Sequence, residues 1–202
     1  DALSSSDAVV CGRLSEEEVR KSAMLKAIFV PFTGLNNFPL DLIKEKNLIL
    51  SNTHANAKYV AEHAVMLAMA LLGNAVDYHN RLKQGFWSRE KDEDNMWETL
   101  QEKTIGILGL GNIGRNIARL LRSFNCRIIG FKKNAAGYTD DTIDEVTSDL
   151  LFTVMKSDVI FTALPLTKET KGLINAEILA EMKGKYIINV GRGETISEDA
   201  LY

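Results

Sequence analysis

The sequence predicts an α/β protein in two parts: a larger part built on a doubly wound parallel sheet, preceded by a smaller, partial domain of the same class. Three observations predict it. From residue 104 onward, short apolar runs alternate with stretches of helical spacing, the order that lays strands side by side with helices on both faces. At the first join of strand to helix, residues 104–121 read TIGILGLGNIGRNIARLL, with three glycines in six residues. Ahead of them, residues 85–103 (GFWSREKDEDNMWETLQEK) lose the apolar pattern and gather charge. That is the composition of an exposed connector, and it divides residues 1–84 from 104–202.

Taken in order, residues 27–30 (AIFV) read as a short buried strand stopped by Pro31 and Gly34, and 48–50 (LIL) as another, with a short helix over 39–46 between them. From 58 to 81, Val60, Ala64, Leu67, Leu71 and Ala75 keep helical spacing while Met66, Ala68, Met69 and Leu72 fill the other faces. This predicts one long helix buried nearly all round. Gly73 within it implies close packing on a neighbour, so the helix is expected at a subunit or interdomain interface. In the second part, strands are expected at 104–109, 127–131, 158–162 and 186–190, and helices at 112–124, near 147–155 and at 175–182.

Composition narrows the partners. Nearly half the residues are hydrophobic (46%), and 24 basic side chains face 27 acidic ones for a net charge of −3, with the two signs interspersed. No basic face advertises a nucleic acid or an anionic membrane. The longest apolar run, 64–72, is well short of the roughly 20 residues a membrane span needs. Cys11 and Cys126 offer neither a disulfide framework nor metal-ligand spacing, which fits a reducing, cytoplasmic setting with no metal. The expected partner is a small molecule. The chain opens at Asp1 and stops inside an apparent helix start, so it is expected to be a piece of a longer protein.

The glycines carry the first chemistry. In a strand–turn–helix unit, Gly109 allows the tight turn, Gly111 lets the backbone approach a pyrophosphate, and Gly114 lets the helix lie close on the strand. Backbone N–H groups of Asn112 and Ile113, at the positive end of the helix dipole, hold the anion. This is the dinucleotide fingerprint of a Rossmann domain. Such domains that take NAD place an Asp or Glu about 20 residues on, against the ribose diol. Here the second strand ends in Phe131-Lys132-Lys133-Asn134. Two lysines and no acid lean toward the 2′-phosphate of NADP over NAD; the plainer reading of Lys132 and Lys133 is a pair of solvated loop charges.

Two more segments follow strands, Ala163-Leu164-Pro165-Leu166-Thr167 and Asn189-Val190-Gly191-Arg192-Gly193. Ligands of an open parallel sheet gather outside the carboxyl ends of its strands, and all three segments fall on that edge. Arg192 is thereby aimed at the crevice, where a guanidinium binds a carboxylate with two parallel hydrogen bonds or polarises a carbonyl oxygen. The alternative is a surface arginine between turn glycines.

Together, GLGNIG, LPLTKETKGLIN (164–175) and INVGRG followed by Glu198-Asp199-Ala200-Leu201 resemble the D-isomer-specific 2-hydroxyacid dehydrogenases, in the manner of glyoxylate/hydroxypyruvate reductases or phosphoglycerate dehydrogenases. The resemblance extends upstream through Thr33-Gly34-Leu35-Asn36-Asn37, Asn52-Thr53-His54-Ala55-Asn56-Ala57, Val60-Ala61-Glu62-His63 and Gly85-Phe86-Trp87, and so covers most of the chain. It implies a flavodoxin-like substrate domain, partial here, ahead of the Rossmann domain. It implies an NAD(P)-dependent hydride transfer between nicotinamide and a small 2-oxo or D-2-hydroxy acid. Arg192 matches the arginine that grips the substrate carboxylate and 2-oxo oxygen, and Thr33 and Gly34 match the loop whose N–H groups help hold that carboxylate. Leu164 and Pro165 match the segment beside the adenosine, and Asn189, Val190 and Gly191 the wall near the nicotinamide. A homodimer through the 60–76 helix is implied too.

The family's glutamate and proton-transferring histidine lie downstream of the arginine and are expected beyond residue 202. His54, His63 and His79 match positions the family does not use for proton transfer; His63 is expected to pack within its helix, His79 to be solvated, and His54 to be at most a substrate-loop contact. Trp87 and Trp97 are expected as packing anchors and Cys126 as a small core residue. No charge from Phe32 to Asn37 or near Trp87 selects a phosphorylated or dicarboxylic acid, which favours glyoxylate, hydroxypyruvate or pyruvate. Two other readings share the scaffold: a nucleotide-sensing, corepressor-like binding protein, and a dehydrogenase of formate or phosphite.

Overall fold

A computed structural model describes residues 2–87 and 96–201; residues 88–95, the middle of the expected connector, lie outside the described residues. Packing divides the chain into two compact units, Asp1–Asn56 and Ala57–Tyr202. The division thus falls ahead of the long helix, not within 85–103: the helix placed above with residues 1–84 packs its alanine-rich face into the core of the second unit.

The first unit orders β1 (Ala8–Val10), α1 (Glu16–Lys21), β2 (Ala27–Val30), α2 (Leu40–Glu45) and β3 (Ile49–Asn52) into a parallel sheet β1-β2-β3. The expected strands and helix over 27–50 are present; β1 and α1 are additional. The start of α1 is fixed by Ser15, whose Oγ accepts the Glu18 N–H (3.2 Å) while the Glu18 carboxylate accepts the Ser15 N–H (2.7 Å). This reciprocal box satisfies two donors the helix start would otherwise strand. Val19, Ile28, Val30, Leu42 and Ile43 form the core on one face of the sheet, whereas Val10, Phe29 and Ile49 on the other face are exposed.

The second unit contains α3 (Ala57–Leu72), α4 (Ala75–Lys83), β4 (Thr104–Leu108), α5 (Asn112–Leu121), β5 (Arg127–Phe131), β6 (Glu145–Thr147), α6 (Leu150–Lys156), β7 (Val159–Thr162), α7 (Ala176–Ala180), β8 (Tyr186–Asn189) and α8 (Glu198–Leu201). Its five strands are all parallel in the order β6-β5-β4-β7-β8. Successive strands run outward from β4 in one direction and then, from β7, in the other. The reversal between β4 and β7 is the switch point at which an open α/β sheet binds ligands. Leu108 is in register with both Phe131 and Thr162, and Thr162 with Asn189, so the loops leaving β4, β5, β7 and β8 emerge along one edge.

Alternation of the buried strand residues feeds two cores. Ile105, Ile107, Ile128 and Phe161 pack with α3 and α5, and Leu108, Ile160, Ile174 and Ile178 pack on the opposite face with α6 and α7. β6 was not expected, being three residues long, and it displaces the expected 147–155 helix to α6, capped by Asp149, whose Oδ1 accepts the Phe152 N–H at 2.9 Å.

The expected 58–81 helix is two helices bent by 59°. Asn74 sits in the left-handed region (φ 48°), and the Gly73 N–H closes the last turn of α3 on the Met69 carbonyl (2.9 Å). Gly73 therefore ends a helix. Nor is the helix buried all round: Ala57, Ala61, Ala64, Val65, Ala68 and Leu72 are buried, but Met66, Leu67, Met69 and Leu71 are exposed. His63 is exposed and not packed, and Trp87 and Trp97 are 72% and 60% exposed. The chain beyond 95 is instead pinned by Glu98, whose N–H donates to the Leu72 carbonyl (2.7 Å) and whose carboxylate accepts the Tyr186 hydroxyl (2.6 Å) and pairs with Lys103. Cys126 is buried, as expected.

Candidate functional site

The site of the second unit is built at the carboxyl edge of its sheet. Gly109 leaves β4 at φ +97°, a conformation closed to side chains with a Cβ at little cost, and its N–H donates to the Phe131 carbonyl (3.1 Å). A Cβ on Gly114 would lie 2.1 Å from the Gly109 carbonyl oxygen, so the first turn of α5 rests directly on the loop. At Gly111 an added Cβ would meet no protein atom within 4 Å; that side of the turn opens on space. Gly111 caps α5 in extended backbone without any side-chain hydrogen bond, which leaves the first N–H groups, those of Asn112 and Ile113 among them, for an external acceptor. A cradle that protein atoms do not fill, at a helix start that no side chain caps, fits a pyrophosphate.

The neighbouring loops close on this turn. A Cβ on Gly109 would lie 3.1 Å from the Ala163 carbonyl oxygen, and one on Gly191 would lie 2.5 Å from that of Leu164, so the segments after β4, β7 and β8 are brought together as the sequence implied. The Leu164 side chain is buried with Leu108 and Phe131, with a methyl 3.3 Å from where a Cβ on Gly109 would stand, whereas Pro165 is exposed. Val190 packs against the core and donates its N–H to the Thr162 carbonyl (3.0 Å).

At the end of β5, the Lys132 N–H donates to the Thr147 carbonyl (2.9 Å) and its ammonium lies 4.9 Å from the centre of the Tyr138 ring, while Lys133 is exposed. Burial, with Asp140 adding to it, pushes the Tyr138 hydroxyl above its usual range. Asp140 is the nearby acid that sequence reading passed over. Its carboxylate accepts both the N–H (3.0 Å) and the hydroxyl (2.5 Å) of Thr142, and it is held below the usual carboxylate range by that hydroxyl first, with Arg115 and Arg119 adding to the effect. Both bonds fall on Oδ1, within its own turn.

Arg192 follows β8 in extended backbone (φ −132°, ψ 138°), half-buried, with one guanidinium N–H on the Gly191 carbonyl (3.0 Å). Asn189 holds the turn from both ends of its amide: Oδ1 accepts the Gly191 N–H (2.9 Å) and Nδ2 donates to the Arg192 carbonyl (3.1 Å). Thr195, also passed over, donates its hydroxyl to the same carbonyl at 2.6 Å. The three-residue spacing of Asn189, Arg192 and Thr195 is the signal that could have revealed it, since short polar side chains bond backbone groups two or three residues away.

In the first unit, Thr33 and Gly34 are half-buried in the loop after β2, at the carboxyl edge of that sheet. The Thr33 hydroxyl donates to the Thr53 carbonyl (3.2 Å) and its own carbonyl accepts Asn52 Nδ2 (2.8 Å), which fixes the loop to the end of β3. His54 and His79 are exposed, and no group of His, Cys, Asp or Glu suited to a metal ion occurs among the described residues.

Residues 65–202 match the model of the D-isomer specific 2-hydroxyacid dehydrogenase, NAD binding domain. The chain belongs to that family. The matched region begins inside α3, in agreement with the packing of that helix in the second unit. A hydroxypyruvate reductase of Thermotoga maritima is 35% identical over 192 residues, which is 94% of this chain and 61% of the reductase. Among solved structures, the D-lactate dehydrogenase of Aquifex aeolicus complexed with NAD and lactic acid superposes with a TM-score of 0.87 at 28% identity, over 100% of this chain and 61% of that one. An acyclic imino acid reductase in complex with NADPH and D-Arg gives 0.87 at 26%, over 100% and 65%. The chain therefore spans about 60% of the length of these family relatives. No single helix among the described residues is long and apolar enough to cross a membrane.

Proposed function

We propose that the protein is an NAD(P)-dependent reductase interconverting a small 2-oxo acid, of the glyoxylate, hydroxypyruvate or pyruvate type, and its D-2-hydroxy acid. The observation that carries this reading is Arg192, fixed by Asn189 and Thr195 at the sheet edge that also bears the open glycine turn. The nicotinamide cofactor, when bound, supplies or accepts the hydride at the substrate carbon. The turn at Gly109, Gly111 and Gly114, with the N–H groups of Asn112 and Ile113, holds the pyrophosphate. Leu164 and Pro165 border the adenosine, and Asn189, Val190 and Gly191 the nicotinamide. Arg192 binds the substrate carboxylate and draws charge onto the 2-oxo oxygen, and Thr33 and Gly34 keep the carboxylate-binding role that the family resemblance implies. His54, His63 and His79 take no part in proton transfer. The test is oxidation of NADPH and NADH by the full-length protein with these three acids and chiral analysis of the products from hydroxypyruvate and pyruvate, glycolate being achiral; no turnover of any acid with either cofactor sinks the reading.

The same reading assigns Lys132 and Lys133 to the 2′-phosphate of NADP, supported by the two basic side chains that follow β5 directly and by the hold of Thr142 on Asp140 Oδ1. Titration by nicotinamide fluorescence is expected to give tighter binding of NADPH than of NADH, on the order of tenfold, and Lys132→Asp with Lys133→Ala is expected to abolish or invert the preference. Equal affinities in the wild type would make the lysines bystanders.

A homodimer through residues 60–76 belongs to the same reading. Met66, Leu67, Met69, Leu71 and Val76 are exposed, and Leu67, Leu71 and Val76 line a groove of about 640 Å³ together with Ile187 and Ile188. Apolar side chains left exposed along these two helices support an interface there. Sedimentation is expected to show a dimer and the Leu67→Glu, Leu71→Glu variant a folded monomer; a monomeric wild type refutes it. The free thiols of Cys11 and Cys126 support a reducing, cytoplasmic setting.

A further inference from the structure

We propose that Thr195 is a positioning residue for Arg192, an inference that rests on the assignment of Arg192 to the substrate carboxylate. The Arg192 carbonyl oxygen accepts three donors: the Thr195 hydroxyl at 2.6 Å, the Thr195 N–H at 3.2 Å and Asn189 Nδ2 at 3.1 Å. The backbone N–H and the Asn189 amide already satisfy the two lone pairs of that oxygen. Closing the turn does not require the hydroxyl. Thr195 is fully buried, and burying a hydroxyl is unfavourable unless it is bonded; valine fills the same shape without that cost. What the hydroxyl adds is the short bond to Arg192.

That bond ties the arginine to something that does not move with it. The Thr195 carbonyl accepts the Ile174 N–H (3.0 Å), the Glu194 carbonyl accepts the Gly172 N–H (2.8 Å), and Ile196 pairs with Ile174, itself fully buried in the core. Upstream, Asn189 is the last residue of β8. The peptide that carries the Arg192 side chain is therefore held from the sheet on one side and from the 172–174 segment on the other. The direction of its Cα–Cβ bond follows from its φ and ψ. A side chain that must meet a carboxylate with two parallel hydrogen bonds tolerates little error: displacement of about 1 Å costs as much as about a hundredfold in rate.

The experiment uses the full-length enzyme and the variants Thr195→Val, Thr195→Ser and Arg192→Lys. Four quantities are read: kcat/KM for the 2-oxo acid, affinity for oxamate as an unreactive carboxylate in the presence of NADH, affinity for NADH alone, and the thermal midpoint. Thr195→Val is expected to lower kcat/KM and oxamate affinity by about tenfold with NADH affinity within about twofold of wild type. Thr195→Ser, which keeps the donor, is expected to recover most of the loss. Wild-type kcat/KM and oxamate affinity in Thr195→Val overturn the proposal. So does a loss of NADH and oxamate binding in the same proportion, unrescued by serine, because that is what general loosening of the unit produces. An Arg192→Lys enzyme with wild-type kcat/KM and oxamate affinity removes the underlying assignment and the proposal with it; a weakened one beside an unaffected Thr195→Val removes the positioning role alone. If Thr195→Val does not fold, Thr195→Cys, of similar volume and weaker as a donor, carries the same expectation.

Discussion

Arg192→Gln in the full-length enzyme is expected to lower kcat/KM for the 2-oxo acid by on the order of a thousandfold while NADH affinity stays within about twofold. Two losses combine in that figure. Glutamine cannot offer the planar pair of charged N–H donors that a carboxylate takes up bidentately, so ground-state binding weakens and KM rises. It also removes a positive charge from beside the oxygen on which negative charge grows as the ketone is reduced, and deleting one such donor typically costs about a hundred- to a thousandfold in kcat. The backbone at 192 is held by Asn189 and Thr195 through its carbonyl, bonds that the substitution keeps while it removes the guanidinium bond to the Gly191 carbonyl, so the turn is expected to persist. Arg192→Lys keeps the charge without the fork and is expected to fall between the two. Steady-state kinetics with KM and kcat separated, alongside NADH titration, checks this; an Arg192→Gln enzyme within tenfold of wild type denies Arg192 its role.

The sequence was most legible where one residue type has one physical use. Gly109, Gly111 and Gly114 could be read because a left-handed turn, an open backbone and a helix seated on a loop each exclude a side chain, and the strict alternation after residue 104 left a parallel sheet as the economical arrangement. It was least legible where the outcome depends on tertiary partners. The break at Gly73-Asn74 was hidden because helical spacing continues through it, and the identity of the buried stripe on α3 could not be read because alanines and methionines supply both faces. β1 and β6, at three residues each, carry too little pattern to register. Trp87 and Trp97 were expected as packing anchors, yet both are exposed. Thr195 was faint for another reason: its importance lies in a single bond to a backbone oxygen, at which only its three-residue spacing from Arg192 hints.

Gly114→Ala and Gly111→Ala separate the two kinds of glycine in the turn, and they are expected to fail differently. At Gly114 the new methyl would stand 2.1 Å from the Gly109 carbonyl oxygen and 3.2 Å from the Ile107 side chain. The first of these is backbone and has no rotamer to escape into. Gly109 cannot easily yield either, being held at φ +97° with its N–H on Phe131. Relief must come from lifting α5, and α5 carries Ile117, Ala118 and Leu121, all fully buried. Overpacking of this kind is expected to destabilise by about 3 kcal/mol, which lowers the thermal midpoint by about 6–12 °C. Cofactor affinity is lost with it. At Gly111 the methyl meets nothing within 4 Å, and the backbone there (φ −78°, ψ −163°) is open to any residue. Stability should stay within about 0.5 kcal/mol of wild type. Yet the space the methyl enters is the space a pyrophosphate needs, so NADH affinity is expected to fall by at least about tenfold. Thermal unfolding and nicotinamide fluorescence on both variants decide the matter: a stable Gly111→Ala protein that binds NADH like the wild type would show that the open side of this turn is not where the cofactor lies.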